Sequence, residues 1–100
     1  MRHFLLFFVF APDFESRREQ YRDPHLRLAW QASERGELLL AGALTDPVDT
    51  GVLLFSTESV EQVEKYARED PYVVNGLVIR WYVREWATTV GDDASMPIEP

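Results

Sequence analysis

The stretch Phe4–Ala11, with the sequence FLLFFVFA, is continuously apolar and rich in aromatic residues, and Pro12 follows it directly. A run of this length and composition predicts a strand that must be covered on both faces. It is far shorter than the roughly 20 residues of a membrane span. With Met1-Arg2-His3 before it, the run resembles a short signal peptide, but no small-x-small cleavage pattern follows. We therefore interpret it as a strand of the folded domain and expect a cytoplasmic protein.

The next predicted element is a helix that begins at Asp23-Pro24, with Asp23 as N-cap and Pro24 at the first helical position. It is expected to run to about Arg35 and to end at Gly36. The charged stretch Asp13–Arg22 before it shows no clean apolar stripe. That stretch is therefore predicted to be a loop or a frayed helical turn.

A second helix is predicted after Ser59, which forms a capping box with Gln62. Its buried stripe is expected at helical spacing and consists of Val60, Val63, Tyr66 and Ala67. Pro71 ends this helix, because the residue before a proline is pushed out of the helical region. That residue is Asp70.

Three further strands are predicted from apolar or alternating patterns, at Glu37–Leu44, Val52–Phe55 and Leu77–Trp86. Gly42 within the first of them indicates a bulge or a close approach of backbone or ligand. In the last strand the alternation predicts two faces: Leu77, Ile79, Trp81 and Val83 on one, and Val78, Arg80, Tyr82 and Arg84 on the other.

The resulting order, βαββαβ, predicts an α+β fold of the ferredoxin-like kind, with a four-stranded antiparallel sheet in the order 4-1-3-2. Right-handed crossovers place both helices on one face, so the other face of the sheet is left bare and apolar. We therefore predict a homodimer that pairs two sheet faces, a dimeric α+β barrel, formed by residues 1–86. Residues 87–100 are expected to be a mobile tail or an arm on the partner. A monomer whose tail covers the sheet is the competing arrangement.

Composition restricts the partners of this 100-residue chain, whose formal net charge is -7. Nucleic acids and anionic membrane surfaces attract basic patches, so neither is an expected partner. The chain has no cysteine and only two histidines. Thiolate sites are thus impossible, and no metal site is predicted.

Three groups of residues resemble the YciI-like family over roughly residues 1 to 86: Arg22-Asp23-Pro24-His25-Leu26, Gly36-Glu37-Leu38 leading to Ala41-Gly42, and Asp70-Pro71-Tyr72. The resemblance implies a ferredoxin-like dimer with a His-Asp pair in a pocket, and one related branch includes a dehydrochlorinase. Matching residue by residue places the pair on His25 and Asp70. The family commonly has proline after the Ala-Gly pair, where this sequence has Ala43, a difference expected at the pocket rim.

His25 falls within the apolar arc of its predicted helix, so it should face the core or a pocket wall. It would also lie near the helix N-terminus, where the helix dipole disfavours a positive charge. With Asp70 holding one ring nitrogen, the other would be free to act as a base. Arg22, Gly42 and Tyr72 are the expected substrate-binding residues, with Arg18 as an alternative to Arg22 over the pocket.

These features favour a small cofactor-free lyase, dehydrochlorinase-like enzyme or isomerase that removes a proton from a small metabolite. No glycine-rich phosphate loop is present to support phosphoryl transfer. A non-enzymatic ligand-binding or regulatory dimer of the same fold is the alternative function. A cofactor-free monooxygenase is a third hypothesis, and it rests on analogy of fold alone.

Overall fold

The fold is a four-stranded antiparallel sheet with three helices, and the computed structural model describes every residue from Met1 to Pro100. In chain order the elements are β1 (Arg2–Phe10), α1 (Phe14–Glu34), β2 (Leu38–Ala43), β3 (Thr50–Thr57), α2 (Val60–Glu69), α3 (Pro71–Val74) and β4 (Val78–Trp86). The strands lie in the order β2-β3-β1-β4. This is the predicted ferredoxin-like order, so the α+β fold prediction is confirmed.

β1 is central because it pairs with both β3 and β4. Its alternate residues Phe4, Leu6, Phe8 and Phe10 are buried against the helices and form much of the core. The residues between them, such as Phe7, are only half-buried and lie on the opposite face of the sheet. Within one chain, β1 is therefore covered fully on the helix side only.

α1 is much longer than predicted and spans 21 residues. The stretch predicted as a loop is its first half, and Pro24 lies inside the helix instead of at its start. Pro24 has no N–H to donate, and an interior proline costs a helix about 3 kcal/mol. Burial of Phe14, together with Tyr21 packed against the core, offsets this cost, because a buried aromatic or aliphatic side chain contributes about 1.5–3 kcal/mol.

One bulge interrupts the pairing of each edge strand. In β2 the register changes between Leu38 and Leu40, so the bulge lies at Leu39. Gly42 pairs regularly with Val52, so of its two interpretations the bulge was wrong. In β4, Val78 lies opposite Phe10, and Arg80 lies opposite Val9.

The β4 bulge exposes Ile79 and turns Val78 into the core, opposite to the predicted assignment of these two residues. Trp81 and Val83 keep the predicted side and pack against the core.

α2 begins as predicted, with the capping box of Ser59 and Gln62. It ends at Glu69, and Asp70 adopts an extended conformation with φ -65° and ψ 125°. The short helix α3, which starts at Pro71, was not predicted.

The tail after β4 folds back on itself and contacts the sheet at one end. The Thr88 carbonyl accepts a hydrogen bond from the Met96 N–H (2.9 Å). The Thr88 hydroxyl lies 2.7 Å from Nδ1 of the buried His3. Whether residues 87–100 move or contact a partner chain stays a prediction. No helix in the structure combines the length and the apolar character that crossing a membrane requires.

Candidate functional site

A cavity of about 180 Å³ lies between α1, α3 and the sheet. Aromatic side chains from β1, α1 and α3 form much of its wall, namely Phe8, Phe10, Phe14 and Tyr72. The backbone of residues 41–43 of β2 closes another side. The cavity thus draws its walls from segments that lie far apart in sequence.

His25 lines this cavity and contacts Asp70, which is not part of the cavity lining. Nδ1 of His25 lies 2.9 Å from Oδ1 and 3.0 Å from Oδ2 of Asp70. The Asp70 side chain is completely buried, whereas that of His25 is 18% exposed. An ionised carboxylate only accepts hydrogen bonds, so Nδ1–H is the donor and the lone pair of the ring resides on Nε2. Nε2 has no partner in the chain and is therefore available to a ligand.

The position of Asp70 follows from Pro71. Because Pro71 forces Asp70 into an extended conformation, the carboxylate turns back over the start of α3 and caps it. Its Oδ1 accepts a hydrogen bond from the N–H of Tyr72 at 2.9 Å. The same carboxylate therefore orients α3 and the imidazole of His25.

Aromatic stacking restrains the imidazole further. The ring of Tyr72 lies parallel to that of His25, with centroids 3.8 Å apart and an interplanar angle of 12°. Phe14 meets Tyr72 edge-on at 5.4 Å, and Phe10 stacks on Phe14 at 3.7 Å. These contacts fix the plane of the histidine ring as well as its hydrogen-bonded edge.

Two buried tyrosines flank the carboxylate. Burial raises the pKa of Tyr72; the charge of Asp70 raises it further, whereas Arg22 and Arg18 act in the opposite direction. Burial raises the pKa of Tyr66 well above its ordinary value, and the nearby Asp70 charge adds to the effect. The Tyr66 hydroxyl is buried and has no hydrogen-bond partner. Both phenols therefore stay protonated at neutral pH.

The structure brings the sequence-predicted site residues together in one place. His25, Arg22, Gly42 and Tyr72 line the cavity, and Asp70 lies directly behind His25. Gly42 has no side chain and contributes backbone only, and a Cβ at this position would meet nothing within 4 Å. The expectation that His25 lies near a helix N-terminus was wrong. It lies in the middle of α1, so the neighbouring Asp70 replaces the helix dipole as the main local charge.

Sequence reasoning missed the three phenylalanines of the cavity and left Arg18 as an alternative only. The signal that could have found Phe14 and Arg18 is spacing, because Phe14, Arg18, Arg22 and His25 follow one another at intervals of four, four and three. Residues at this spacing lie on one face of a helix. The pattern is recognisable only if the helix is taken to begin before Pro24, because three of the four residues precede that proline.

Comparison with known proteins identifies one family and one related fold. A family model described as the YCII-related domain matches residues 1–87. Among solved structures, a similar one is 5-chloro-2-hydroxyhydroquinone dehydrochlorinase from Burkholderia phenoliruptrix in complex with 2,5-dihydroxybenzoquinone. The match has a TM-score of 0.72 and 18% identity and covers 86% of this chain and 94% of the other, a likeness of fold. No curated protein matches the sequence.

Proposed function

The chain belongs to the family of YCII-related domains, and from this premise we propose that it is a small cofactor-free enzyme that uses His25 as a general base. The proposed reactions are elimination from, or isomerisation of, a small metabolite. The observation that carries the proposal is the contact between His25 Nδ1 and the buried Asp70, which leaves Nε2 without a partner in a histidine that lines a cavity of ligand size.

The proposed chemistry begins with proton transfer to Nε2. The imidazole becomes an imidazolium with a proton on each nitrogen, and the carboxylate of Asp70 stabilises this positive charge across the 2.9 Å contact. In an elimination, the electron pair of the broken C–H or O–H bond becomes part of a new double bond while the leaving group departs with its own pair from an sp3 carbon. A hydroxylated aromatic ring would react through its keto tautomer, in which the carbon that bears the leaving group is sp3. In an isomerisation, the imidazolium returns the proton to another carbon. A positioned base of this kind contributes about 10²–10⁴-fold to the rate.

The structural neighbour supplies a first compound to test. Its printed name refers to 5-chloro-2-hydroxyhydroquinone, and chloride release from that compound measures elimination directly. Other small hydroxylated aromatic and enolisable compounds complete the panel, with the absorbance of the product as the readout.

The decisive variants are His25→Ala and His25→Gln. Removing the ring leaves the buried Asp70 without its partner and destabilises the fold, so the glutamine variant, whose amide can still donate, separates folding from chemistry. Both variants should lose turnover by about 10²-fold or more. His3→Gln is the matched control, because His3 is the only other histidine and bonds to Thr88 at the end of the sheet. Wild-type rates in folded His25→Gln would refute the proposal.

Binding without turnover is the second candidate function. The observation in its favour is the largely apolar wall of the cavity, in which His25 is the only group suited to take a proton at neutral pH. A ligand that raises the melting temperature and is recovered unchanged would support this regulatory or carrier role.

A further inference from the structure

Resting on the proposed function, we infer a substrate class for this site: a single planar ring that carries an anionic oxygen group. In this assignment Arg18 and Arg22 bind the anionic group, and the aromatic wall holds the ring beside His25.

Size sets the first limit on the substrate. The cavity has a volume of about 180 Å³, and an apolar cavity of about 150 Å³ is large enough to bind benzene. One six-membered ring with a few small substituents therefore matches the enclosed space, and any larger part of a ligand would extend from it toward solvent.

Shape sets the second limit. Phe10 and Phe14 are stacked with an interplanar angle of 7°, and Tyr72 meets Phe14 at 90°. These rings are held by one another and give the cavity a rigid aromatic lining. Such a lining favours a flat aromatic or quinonoid ligand, because aromatic rings contact one another well edge-on as well as face to face.

Charge sets the third limit. Arg18 and Arg22 lie one turn apart on α1 and both line the cavity, whereas no aspartate or glutamate does. The whole chain has a net charge of -7, so this lining is positive within an acidic protein. Both guanidiniums are near enough to the Tyr72 hydroxyl to oppose the effect of its burial, which places them at the Tyr72 side of the cavity.

The two guanidiniums have donors available for a ligand. Arg18 lies over the ring of Phe14, 5.8 Å from its centroid, and forms no ion pair. Arg22 has one carboxylate neighbour, Glu19, at 3.8 Å on the exposed surface, and exposed pairs at this distance are weak. Solvated arginines on an outer helix face are common, but these two border the cavity that His25 lines.

The arrangement also serves the proposed chemistry. When a base removes a proton from a hydroxylated ring or an enolisable carbon, negative charge develops on the ring oxygens. Arginines beside those oxygens stabilise that charge as it forms. His25 lies three residues after Arg22 on the same helix, so the base and the anion-binding groups border the same small cavity.

Calorimetric titration with two matched pairs of probes tests the inference on the full chain. Benzoate is compared with benzamide, which has the same shape without the charge. 2,5-Dihydroxybenzoquinone, an acidic hydroxyquinone, is compared with 2,5-dimethoxybenzoquinone, which has the same quinone ring and four oxygens but cannot ionise. The first pair tests a carboxylate and the second tests an ionised hydroxyl as the source of the anionic oxygen. We expect at least one anion to bind about tenfold or more tightly than its neutral counterpart.

Arginine variants then assign the binding to these side chains. Arg18→Gln and Arg22→Gln should each weaken binding of the anion about tenfold and leave that of the neutral probe unchanged. Arg27→Gln is the matched control, because Arg27 is an exposed arginine of the same helix outside the cavity lining. Equal binding of charged and neutral probes, or an unchanged affinity in both arginine variants, would overturn the inference. Both positions are partly or fully exposed, so the variants are expected to fold.

The outcome for His25→Gln keeps this inference separate from the proposed function. Binding of the anion should persist in that variant while turnover is lost. Anion binding that depends on the arginines, combined with turnover that does not depend on His25, would remove the proposed function alone. Turnover that depends on His25 without any preference for an anion would remove the substrate class alone.

Discussion

The carboxylate of Asp70 has two structural roles. It caps α3 through the N–H of Tyr72 and holds Nδ1 of His25, and no part of its side chain reaches solvent. A buried charge requires hydrogen-bonding partners in place of water. Asp70 has two donors, one ring nitrogen and one backbone N–H.

Substitutions of Asp70 should separate these two roles. In Asp70→Asn the amide oxygen can still accept from the Tyr72 N–H, so α3 should persist. The neutral amide cannot stabilise an imidazolium, so turnover should fall by about 10²–10⁴-fold. Asp70→Ala should in addition lose about 1 kcal/mol or more of stability with the cap. Urea unfolding and steady-state kinetics measure the two effects, and full activity in Asp70→Asn would contradict the assigned role.

Tyr66 should make the fold sensitive to alkali. Its pKa is raised in the folded state by burial and by the charge of Asp70. This stabilisation is fully present below the ordinary tyrosine value of about 10 and is lost as the pH rises through the raised folded value. The free energy of unfolding should therefore fall above about pH 10, by up to about 1.4 kcal/mol per pH unit for this group.

Tyr66→Phe tests that slope. The variant should show a shallower loss of stability between about pH 10 and 11.5 in urea unfolding. Removing an unpartnered hydroxyl should also leave stability at pH 7 unchanged or raise it by about 1 kcal/mol. An identical alkaline slope in both proteins would show that folding does not raise the pKa of Tyr66, and a clear loss of stability at pH 7 would show that the hydroxyl is hydrogen-bonded in solution.

At the scale of elements, the contact of β1 with β3 depends on the absence of a side chain at Gly51. A Cβ at this position would lie 2.9 Å from Cζ of Phe10. The ring of Phe10 is stacked on Phe14 and cannot move away freely. Gly51 therefore contributes both to the pairing of β1 with β3 and to the lining of the cavity.

Gly51→Ala should destabilise the protein by about 1–3 kcal/mol, the usual effect of overpacking a core. Gly42→Ala is the matched control for stability, because the added Cβ would meet nothing within 4 Å. That control should be neutral or slightly stabilising, since alanine restricts the unfolded chain more than glycine does. Thermal unfolding of both variants measures the difference, and equal effects would contradict the packing described for Phe10.

At the scale of the whole molecule, the sheet face opposite the helices is covered only at one end, where the tail lies beside it and the two form a groove. It consists of half-buried and exposed side chains, among them Phe7, Leu40, Leu54, Tyr82 and Trp86. The tail forms its hydrogen bond to the sheet at His3, at one end of this face. A contiguous apolar surface of this kind is typical of an interface between proteins.

We expect two chains to pair through this face. The particle mass in solution should then be twice the 11.6 kDa of the chain, as measured by light scattering or sedimentation. Leu54→Arg places a charge in the face and should yield a monomer that still folds, because the side chain is already half-exposed. Val74→Arg, at an exposed position of α3, is the control and should stay dimeric. A monomeric wild-type protein at micromolar concentration would contradict this expectation.

Much of the architecture is readable from local sequence because single residues restrict their own backbone. The apolar run at 4–11 predicts the buried face of β1, and the capping box at Ser59 predicts the start of α2. Pro71 predicts the end of that helix and thereby the extended conformation of Asp70. The order of these elements, combined with right-handed crossovers, leads to the observed strand order.

The rest was decided by contacts between distant parts of the chain. Pro24 predicts a helix start, yet the helix passes through it because Phe14 packs on Phe10 and Tyr72. The free energy gained by this packing outweighs the cost of an interior proline. A short window of sequence around Pro24 shows the proline but not the packing. The bulges at Leu39 and Ile79 likewise arise from fitting the edge strands to the central pair. The sequence by itself therefore determined the four strands, their order and the bounds of α2, and its family resemblance pointed to the pairing of His25 with Asp70. Only tertiary packing determined the length of α1, and with it the row of side chains that lines the cavity.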